Sequence, residues 1–373
     1  MKSVKDPLYG FVRIDKEFVK MIDHAAFQRL RGIKQLGFTN LVYPSANHTR
    51  FEHSIGSFHL ARKFCQHLEE ENPEFLTSAL LHDLGHVPFS HAVEELFRRH
   101  EEISVEIVKK NFYEILEEEG IDTRKVCKMI RGKTKFGKLV SGEIDVDRLD
   151  YLRRDSYYTG VAYGVIDSDA IIRGVEKMGG HIWIKGDYLP ACESLLIGRY
   201  LMYATVYMHH TVRCVNSMLR RSCQEFLRDE RKEMEEFERL RDFEMVNALL
   251  KNEKSRKIFE RILKRKLYGE VCRIFLPLRK NFSPWEIYEI ENNISSELGL
   301  RKGSFLLHIP KIGKFSESKV RISGFNKSLE EISPLVNSLN SALNNHLWIG
   351  VYSSARVNRK RAERTVKMYL EQG

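Results

Sequence analysis

The stretch LLHDLGHVPFSH, residues 80–91, decides how the rest of the chain is interpreted. It follows the apolar segment FLTSA, residues 75–79, and places three histidines and one aspartate within twelve residues. A buried polar group is costly unless it is hydrogen-bonded or bound to a metal. The stretch is therefore either a solvated loop or a functional site, and the remaining sequence has to decide between the two.

Composition indicates a globular protein rather than an exported or membrane protein. The chain has 373 residues, of which 42% are hydrophobic and 30% charged, enough for a large core and for two or three domains. No signal-peptide pattern and no apolar run of about 18 residues is present, so we expect no membrane partner. Six scattered cysteines without a C-x-x-C pair argue against a zinc knuckle or a disulfide framework and favour a cytoplasmic location.

The net charge of +10 favours an anionic partner, such as a nucleotide or a nucleic acid. It does not choose between these partners, because net charge sets long-range attraction and not recognition.

Apolar spacing predicts a mostly α fold with a short N-terminal β-hairpin. Two extended pieces flank a turn within residues 1–14, where Pro7 and Gly10 interrupt the pattern. Helices are predicted over 16–36, 54–70, 73–84, 90–98, 103–117, 144–155 and 189–228. Strands are predicted at SFLLHIP (304–310), KVRIS (319–323) and HLWIGVY (346–352). We therefore expect a helical domain over residues 1–270 and a small α+β domain over residues 271–373.

Four residues form an ordered set along the chain: His53, the adjacent pair His82 and Asp83, and Asp147. Any one of these histidines alone would more often be a surface or hydrogen-bonded core residue. The set is more specific, because the pair closes an apolar helix and the last aspartate opens another. Imidazole nitrogens and carboxylate oxygens suit a divalent Zn, Fe, Mn or Mg ion. Two histidines and two aspartates would leave positions for water and substrate, as catalysis requires.

The ordered set lies within stretches that resemble the HD-domain phosphohydrolases. The resemblance is closer to the deoxynucleoside triphosphate triphosphohydrolases, which include the SAM-and-HD-domain protein of vertebrates. The stretches are DPLYGFVRID (6–15), FQRLRGIKQLG (27–37), HTRFEHSIG (48–56), LLHDLGHVPFSH (80–91) and DVDRLDYLRRDSYYTG (145–160), and they do not include a SAM domain. Beyond about residue 165 the likeness is one of pattern, as in VYMHHTVR (206–213). The resemblance implies an HD-type helical core and the hydrolysis of a deoxynucleoside triphosphate to deoxynucleoside and inorganic triphosphate.

The resemblance also implies roles in metal binding and proton transfer. The metal ligands would be His53, His82, Asp83 and Asp147, and the catalytic residues would be His86, His91, Glu94 and His100. His91 and Glu94 lie three positions apart in the helix predicted over 90–98, so their side chains can touch. A neighbouring carboxylate stabilises a protonated imidazole. This suits His91 to donate a proton to the leaving sugar oxygen, whereas His100 on its own could equally be a surface helix residue.

Substrate-binding residues follow from the same resemblance. Arg50 would hold phosphate through its forked guanidinium, and Arg148 stands where the vertebrate protein has a phosphate-binding lysine. The residues that would hold the deoxyribose and its 3′-hydroxyl are Gln35, Leu36, Tyr151 and Asp155. Without the resemblance, Leu36 and Tyr151 would be interpreted as core residues. Further candidates for contacts to the triphosphate are Tyr207, His210 and Arg213.

Regulation and assembly are also implied by the resemblance. A guanine nucleotide activator would bind near Lys2, Val4, Asp23 and Arg31, since aspartate accepts from the guanine N–H groups and arginine donates to its carbonyl. The alternative is that Asp23 and Arg31 form a surface ion pair of the common, weak kind. A homodimer or homotetramer is expected.

Two other functions remain open from the sequence. HD-type chemistry also serves phosphomonoesterases and phosphodiesterases, which differ in the product that they release. A nucleic-acid-binding protein with a vestigial site would use the basic stretches 254–266 and 356–367. Those stretches lack the interleaved aromatic residues that stack on bases, so nucleic acid is not the expected partner.

Overall fold

The computed structural model describes residues 2–371 except 135, 141, 143, 180, 230–233, 278, 279, 311–318 and 345–347. The N-terminal hairpin is formed as predicted, with β1 (Lys2–Asp6) antiparallel to β2 (Gly10–Ile14). Asp6 closes the turn by accepting hydrogen bonds from the backbone N–H groups of Leu8 and Tyr9.

Helices make up most of the fold, which confirms the predicted mostly α class. The first group is α1 (Lys16–Asp23), α2 (Ala25–Gln28), α3 (Arg50–His67), α4 (Pro73–Leu81), α5 (His100–Ile107), α6 (Tyr113–Glu118), α7 (Thr123–Ile130), α8 (Gly137–Val140), α9 (Val146–Thr159) and α10 (Ser168–Gly174). The second group is α11 (Leu189–Met202), α12 (His210–Asp229), α13 (Met234–Glu238), α14 (Asp242–Lys251), α15 (Glu253–Leu263), α16 (Pro284–Glu297), α17 (Leu329–Ile332), α18 (Pro334–Asn344) and α19 (Arg359–Glu371). Within the described ranges, no helix combines the length and apolar character needed to cross a membrane.

Four predicted helices are interrupted or replaced. The helix predicted over 103–117 contains a π-helical turn, Val108–Phe112, between α5 and α6. The helix predicted over 16–36 ends at Asp23, because the backbone of His24 is extended. The His24 side chain then caps α2 by accepting a hydrogen bond from the backbone N–H of Ala26. The block predicted over 189–228 contains a π-helical turn, Tyr203–Tyr207, between α11 and α12. The helix predicted over 90–98 is wrong: two 3₁₀ turns, Ser90–Ala92 and Glu94–Leu96, replace it. Phe89 precedes them with a φ of 59°, a left-handed conformation that does not continue an α-helix.

Small sheets complete the fold. The strands β3 (Val175–Met178) and β4 (His181–Lys185) form a four-stranded sheet with β7 (Arg321–Ser323) and β8 (Lys327–Ser328), in the order β3-β4-β7-β8. The three-stranded sheet has the order β5 (Gly269–Ile274), β9 (Ile349–Ser353), β6 (Phe305–His308). Strands were predicted at β6, β7 and β9 but not at β3, β4 or β5; residues 346 and 347 lie outside the described part of the chain. The parallel β4–β7 pair joins chain segments on both sides of residue 270, so the division of the chain into two domains at that residue stays a prediction.

The close crossing of α3 and α9 positions the candidate site. Their buried side chains share a hydrophobic core that includes Leu60, Phe64, Leu149 and Leu152. Gly56 makes the crossing feasible, because a Cβ at this position would lie 1.9 Å from Oδ1 of Asp150. Only glycine therefore lets the charged side of α9 approach the first turns of α3 so closely.

Candidate functional site

Three helix ends bring the predicted metal ligands together. The α3 helix begins at Arg50 after a capping box between Thr49 and Glu52, and His53 lies in its first turn. The apolar α4 helix ends at Leu81, so His82 caps it and Asp83 follows directly. Asp145 caps α9 and accepts a hydrogen bond from the backbone N–H of Arg148, which places Asp147 in the first turn.

The four predicted ligands face one another across a small space. Nε2 of His53 lies 3.1 Å from Oδ1 of Asp147 and 3.5 Å from Oδ2 of Asp83. Nε2 of His82 lies 3.2 Å from Oδ1 of Asp83 and 4.0 Å from Oδ1 of Asp147. His53, His82 and Asp83 are buried, whereas the Asp147 side chain is one-third exposed.

The chemistry of these donors fits a divalent cation. The outer nitrogen of each ring is engaged: Nδ1 of His53 lies 2.8 Å from Asp150, and Nδ1 of His82 lies 2.9 Å from the carbonyl oxygen of Ala79. The inner Nε2 atoms of both rings are buried, and among the described residues neither makes a hydrogen bond of good geometry, although carboxylate oxygens lie 3.1 and 3.2 Å away. Such a buried nitrogen is costly unless a ligand pairs with it, and a metal held by histidines with engaged outer nitrogens is a common arrangement. Burial raises the pKa of Asp147, but His53 and His82 outweigh it and hold that pKa well below its usual range, so this carboxylate is ionised.

Arg50 is buried and lies beside the four predicted metal ligands, which we call the metal-type cluster. Its guanidinium donates to Asp83 at 2.8 Å and to the hydroxyl of Ser90 at 2.9 Å. The remaining terminal nitrogen is buried and has no hydrogen-bond partner among the described residues. That N–H group is therefore suited to an anionic ligand at the cluster.

The predicted catalytic residues form a second cluster centred on Glu94. Its Oε2 lies 2.6 Å from Nδ1 of His91, and its Oε1 contacts Nδ1 of His100. The His86 ring stacks on the His100 ring, with centroids 4.1 Å apart, and reaches Oδ1 of Asp83 at 3.2 Å. The two clusters are therefore adjacent, although His91 and Glu94 lie on separate 3₁₀ turns and not on the single helix that was predicted.

The surroundings shift the pKa values of His86, His100 and Glu94 in different directions. Burial lowers the pKa of His86 well below its usual value, and the neighbouring Arg50 and His100 lower it further, so this ring is neutral. Burial also lowers the pKa of His100, but the Glu94 carboxylate outweighs it and raises that pKa. Burial raises the pKa of Glu94, yet hydrogen bonds from His100 and His91 hold it well below its usual range. Glu94 is thus an ionised carboxylate that favours the protonated form of His100.

A cavity of about 420 Å³ opens onto both clusters, a volume typical of small-molecule sites. Its lining includes Gln35, Leu36, Arg50, Asp83, His86, His91, His100, Asp147, Arg148, Tyr151, Asp155, Arg199, Tyr203, Tyr207 and Asn216. All of the substrate-binding residues predicted from the resemblance are in this set. The lining combines charged residues with Leu36, Tyr151 and other apolar or aromatic side chains.

Asp155 is fixed in this cavity. Its Oδ2 accepts a hydrogen bond from the hydroxyl of Tyr207 at 2.6 Å, and its Oδ1 lies 2.8 Å from Nε2 of His48. Arg148 lines the cavity too, but its guanidinium contacts Asp145 and donates to the carbonyl oxygen of Gly142.

The three downstream candidates for contacts to the triphosphate do not lie in one place. Tyr207 lines the cavity, whereas His210 and Arg213 are not among its lining residues. The Arg213 guanidinium lies over the Trp348 ring, 4.0 Å from its centroid, and donates to the Trp348 carbonyl oxygen. Arg199 lines the cavity and was missed.

The residues predicted for an activator lie away from this cavity. Nζ of Lys2 pairs with Asp23 at 2.9 Å, and both side chains are exposed. Arg31 donates to the side chain of Gln28 and lies over the Phe51 ring, 3.5 Å from its centroid. Asp23 therefore pairs with Lys2, and the alternative of an Asp23–Arg31 ion pair is wrong.

Sequence reasoning missed His48, Asp150 and Arg154. Asp150 lies three residues after Asp147 and Arg154 four residues after Asp150, the spacing that places side chains along one face of α9. That spacing was a usable signal, because a histidine ligand commonly donates its second nitrogen to a carboxylate.

Comparisons with known proteins agree with this geometry. Residues 50–155 match the family described as HD domain, and residues 166–371 match the HD associated region. The chain belongs to the HD domain family. This HD domain protein is 34% identical to an uncharacterized protein of Methanocaldococcus jannaschii, over 98% of this chain and 82% of that protein.

Two further similarities bear on activity. The deoxynucleoside triphosphate triphosphohydrolase SAMHD1 homolog of Dictyostelium discoideum is 30% identical over 75% of this chain and 62% of its own length. The crystal structure of a phosphohydrolase from Bacteroides thetaiotaomicron superposes with a TM-score of 0.76 at 25% identity, covering 95% of this chain and all of that one. The chain spans 54% of the length of the uncharacterized Bacillus subtilis relative YwfO. Together these similarities support a metal-dependent HD phosphohydrolase.

Proposed function

We propose that this chain hydrolyses deoxynucleoside triphosphates to deoxynucleoside and inorganic triphosphate. The observation that carries the proposal is one cavity whose lining includes members of both clusters and all of the predicted sugar residues. Asp83 and Asp147 of the metal-ligand set line it, as do the three histidines grouped around Glu94. In this cavity a triphosphate would contact Arg50 and Arg148, and a deoxyribose would lie against Leu36 and Tyr151. The similarity to a SAMHD1 homolog supports the same substrate class.

Each cluster has a part in this reaction. A divalent Zn, Fe, Mn or Mg ion held by His53, His82, Asp83 and Asp147 would polarise a phosphoryl oxygen toward attack by water. The terminal nitrogen of Arg50 that has no partner among the described residues binds the phosphate that is attacked. His91, held by Glu94, donates a proton to the departing sugar oxygen.

The remaining catalytic candidates act on the same end of the cavity. Neutral His86 accepts or donates a hydrogen bond at the phosphates, and His100 completes the hydrogen-bonding of Glu94. The substrate end is formed by Gln35, Tyr151 and Asp155, which hold the sugar.

The test is product identification. Purified protein is loaded separately with Zn, Fe, Mn or Mg and incubated with each dNTP and NTP, and the phosphate products are separated by anion exchange. Inorganic triphosphate released from dNTPs is expected, with Asp147→Asn as the inactive control. Release of orthophosphate alone would instead identify a phosphomonoesterase.

Local ion pairs weaken the case for nucleic acid as the main partner. On α15, Lys257 pairs with Glu253 at 2.8 Å and Lys264 pairs with Glu260 at 2.6 Å. On α19, Lys367 pairs with Glu363 at 2.8 Å. These cations are partly neutralised within their own helices, as is usual on solvated helical faces.

We further propose that a guanine nucleotide binds at Lys2, Val4, Asp23 and Arg31 and activates a homodimer or homotetramer. The ligand would displace the weak Lys2–Asp23 pair and use both side chains. Titration with GTP and dGTP, followed by activity, calorimetry and light scattering, tests both parts. Unchanged activity and no heat of binding would reject the activator.

A further inference from the structure

A buried chain of charged groups runs from the metal-type cluster to the N-terminal hairpin. Behind His53, Oδ2 of Asp150 lies 2.8 Å from Nδ1 of the ring. Arg154 donates to both oxygens of Asp150, at 2.8 and 2.9 Å, and donates from its other terminal nitrogen to Asp6 at 2.9 Å. We call Asp150, Arg154 and Asp6 the buried relay.

Together with His53, the relay joins three separate parts of the fold. His53 is on α3, Asp150 and Arg154 are on α9, and Asp6 ends β1. The side chains of Asp150 and Arg154 are fully buried, and that of Asp6 is 3% exposed. Each group is held at both ends, so movement of one shifts the hydrogen-bond geometry of the next.

Stability alone is a weak explanation of such a chain. Desolvating charged groups costs several kcal/mol each, and apolar residues of similar volume often serve a core equally well. The relay also requires glycine at position 56, where α3 crosses α9, because a Cβ there would lie 1.9 Å from Asp150 and 2.4 Å from Arg154. The relay does fix the orientation of the His53 ring. With Nδ1 of His53 donating to Asp150, Nε2 presents its lone pair to the cluster.

We propose that Asp150 is a positioning residue for the metal ligand His53, and that Asp6 acts through Arg154 to couple the N-terminal hairpin to metal affinity. The hairpin is thereby part of the metal site's support, although none of its residues lies among the predicted ligands. The proposal does not depend on the substrate, because metal binding is measured without nucleotide.

The primary test is metal affinity of the folded protein. Binding of Zn and Mn is measured by competition with a chromophoric chelator for wild type, Asp150→Asn and Asp6→Asn. Loss of an outer-shell carboxylate typically weakens metal binding by about 10–100-fold, so Asp150→Asn is expected in that range. A smaller weakening, of about 3–10-fold, is expected for Asp6→Asn because its effect passes through Arg154.

The Asp6→Asn variant isolates the relay from the turn. Oδ1 of Asp6 accepts from Leu8 and Tyr9, and only Oδ2 accepts from Arg154. An asparagine oxygen can keep the turn bonds, while its NH₂ group cannot accept from Arg154. The matched control is Asp15→Asn, which removes the charge that pairs with Arg62 and with Arg13 of the same hairpin and leaves the relay residues unchanged.

Thermal unfolding of the metal-free proteins separates positioning from stability. A merely structural relay would lower the melting temperature of Asp6→Asn and leave the metal affinity of the folded protein equal to that of Asp15→Asn; that result would overturn the proposal. Wild-type affinity in folded Asp150→Asn would do the same. If Asp150→Asn does not fold, the comparison of Asp6→Asn with Asp15→Asn still decides. Absence of dNTP hydrolysis in the wild type would refute the proposed function and leave these affinities interpretable.

Discussion

Nδ1 of His91 lies 2.6 Å from Oε2 of Glu94, although the two residues are on different 3₁₀ turns. The His91 side chain is two-thirds exposed, whereas Glu94 is largely buried and also contacts His100. Because Nδ1 faces Glu94, the opposite nitrogen of the ring is free to face a ligand in the cavity. This is the geometry that a general acid needs, with one nitrogen held and the other directed at the leaving group.

Replacing His91 should therefore impair the chemical step selectively. His91→Ala is expected to lower kcat by about 10²–10⁴-fold while metal content and melting temperature stay near wild type. Glu94→Gln should lose less, because the histidine remains in place. Single-turnover rates and metal analysis are the measurements, and His67→Ala on the outer end of α3 is the control. Near wild-type turnover in His91→Ala would remove it from the mechanism.

The same contact shows what sequence spacing can predict. The prediction that His91 and Glu94 touch is confirmed, but the helix that motivated it is absent. The two 3₁₀ turns follow each other with only Val93 between them, so the spacing was informative about the contact and not about the element. The left-handed backbone at Phe89 depends on tertiary contacts, including the hydrogen bond that its N–H group donates to Asp242. The spacing of apolar residues along the chain cannot predict such a contact.

The four candidate metal ligands were predicted from the sequence, whereas the residues that support them were missed. His53, His82, Asp83 and Asp147 share a recognisable order along the chain, and the structure brings them together. Their roles as ligands stay a prediction until metal is measured. Asp150 and Asp6 looked like ordinary helix and turn residues, because their partners are more than ninety residues away along the chain.

The contact between Glu94 and His100 should make stability depend on pH. The pKa of Glu94 is depressed, so its contribution is present above about pH 4.3, the unfolded value, and is lost as pH falls further. The pKa of His100 is raised, so its contribution is complete below about pH 6.5 and is lost as pH rises through the folded value. The pair should therefore stabilise the fold most between about pH 4.3 and 6.5.

Urea unfolding of wild type and Glu94→Gln across pH 4 to 9 measures this window. The difference in unfolding free energy is expected to reach about 1–3 kcal/mol near pH 5.5 and to shrink toward pH 9. Glu95→Gln is the neighbouring control. A difference that grows steadily with pH would contradict the assignment.

Removal of single ligands should lower metal content before it lowers stability. His82→Ala and Asp147→Ala are each expected to reduce bound metal to well below one ion per chain and to abolish turnover, since catalytic sites of this kind have few protein ligands. Elemental analysis after dialysis is the measurement, with His67→Ala again as control. Full metal occupancy in His82→Ala would refute its assignment as a ligand.

Sugar selection is the sharpest test of the proposed substrate. Oε1 of Gln35 is buried and has no hydrogen-bond partner among the described residues, so it can accept from a 3′-hydroxyl. Asp155, which lines the same cavity, is held by Tyr207 and His48. A site built to bond a hydroxyl rejects analogues that lack it, because its own polar groups are left unpaired. Dideoxynucleotides should therefore be poor substrates.

Ribonucleotides should fail for a steric reason. Leu36 and Tyr151 line the cavity and would crowd a 2′-hydroxyl, and an unpaired buried hydroxyl costs about 1–3 kcal/mol. We expect about a tenfold or greater preference for dATP over ATP in kcat/KM. Leu36→Ala should relax that preference by opening space, and Gln35→Ala should weaken all deoxynucleotides together. Leu41→Ala, outside the cavity lining, is the matched control and should change neither. Equal kcat/KM for ATP and dATP in the wild type would rule out this sugar pocket and favour a general nucleotide phosphohydrolase.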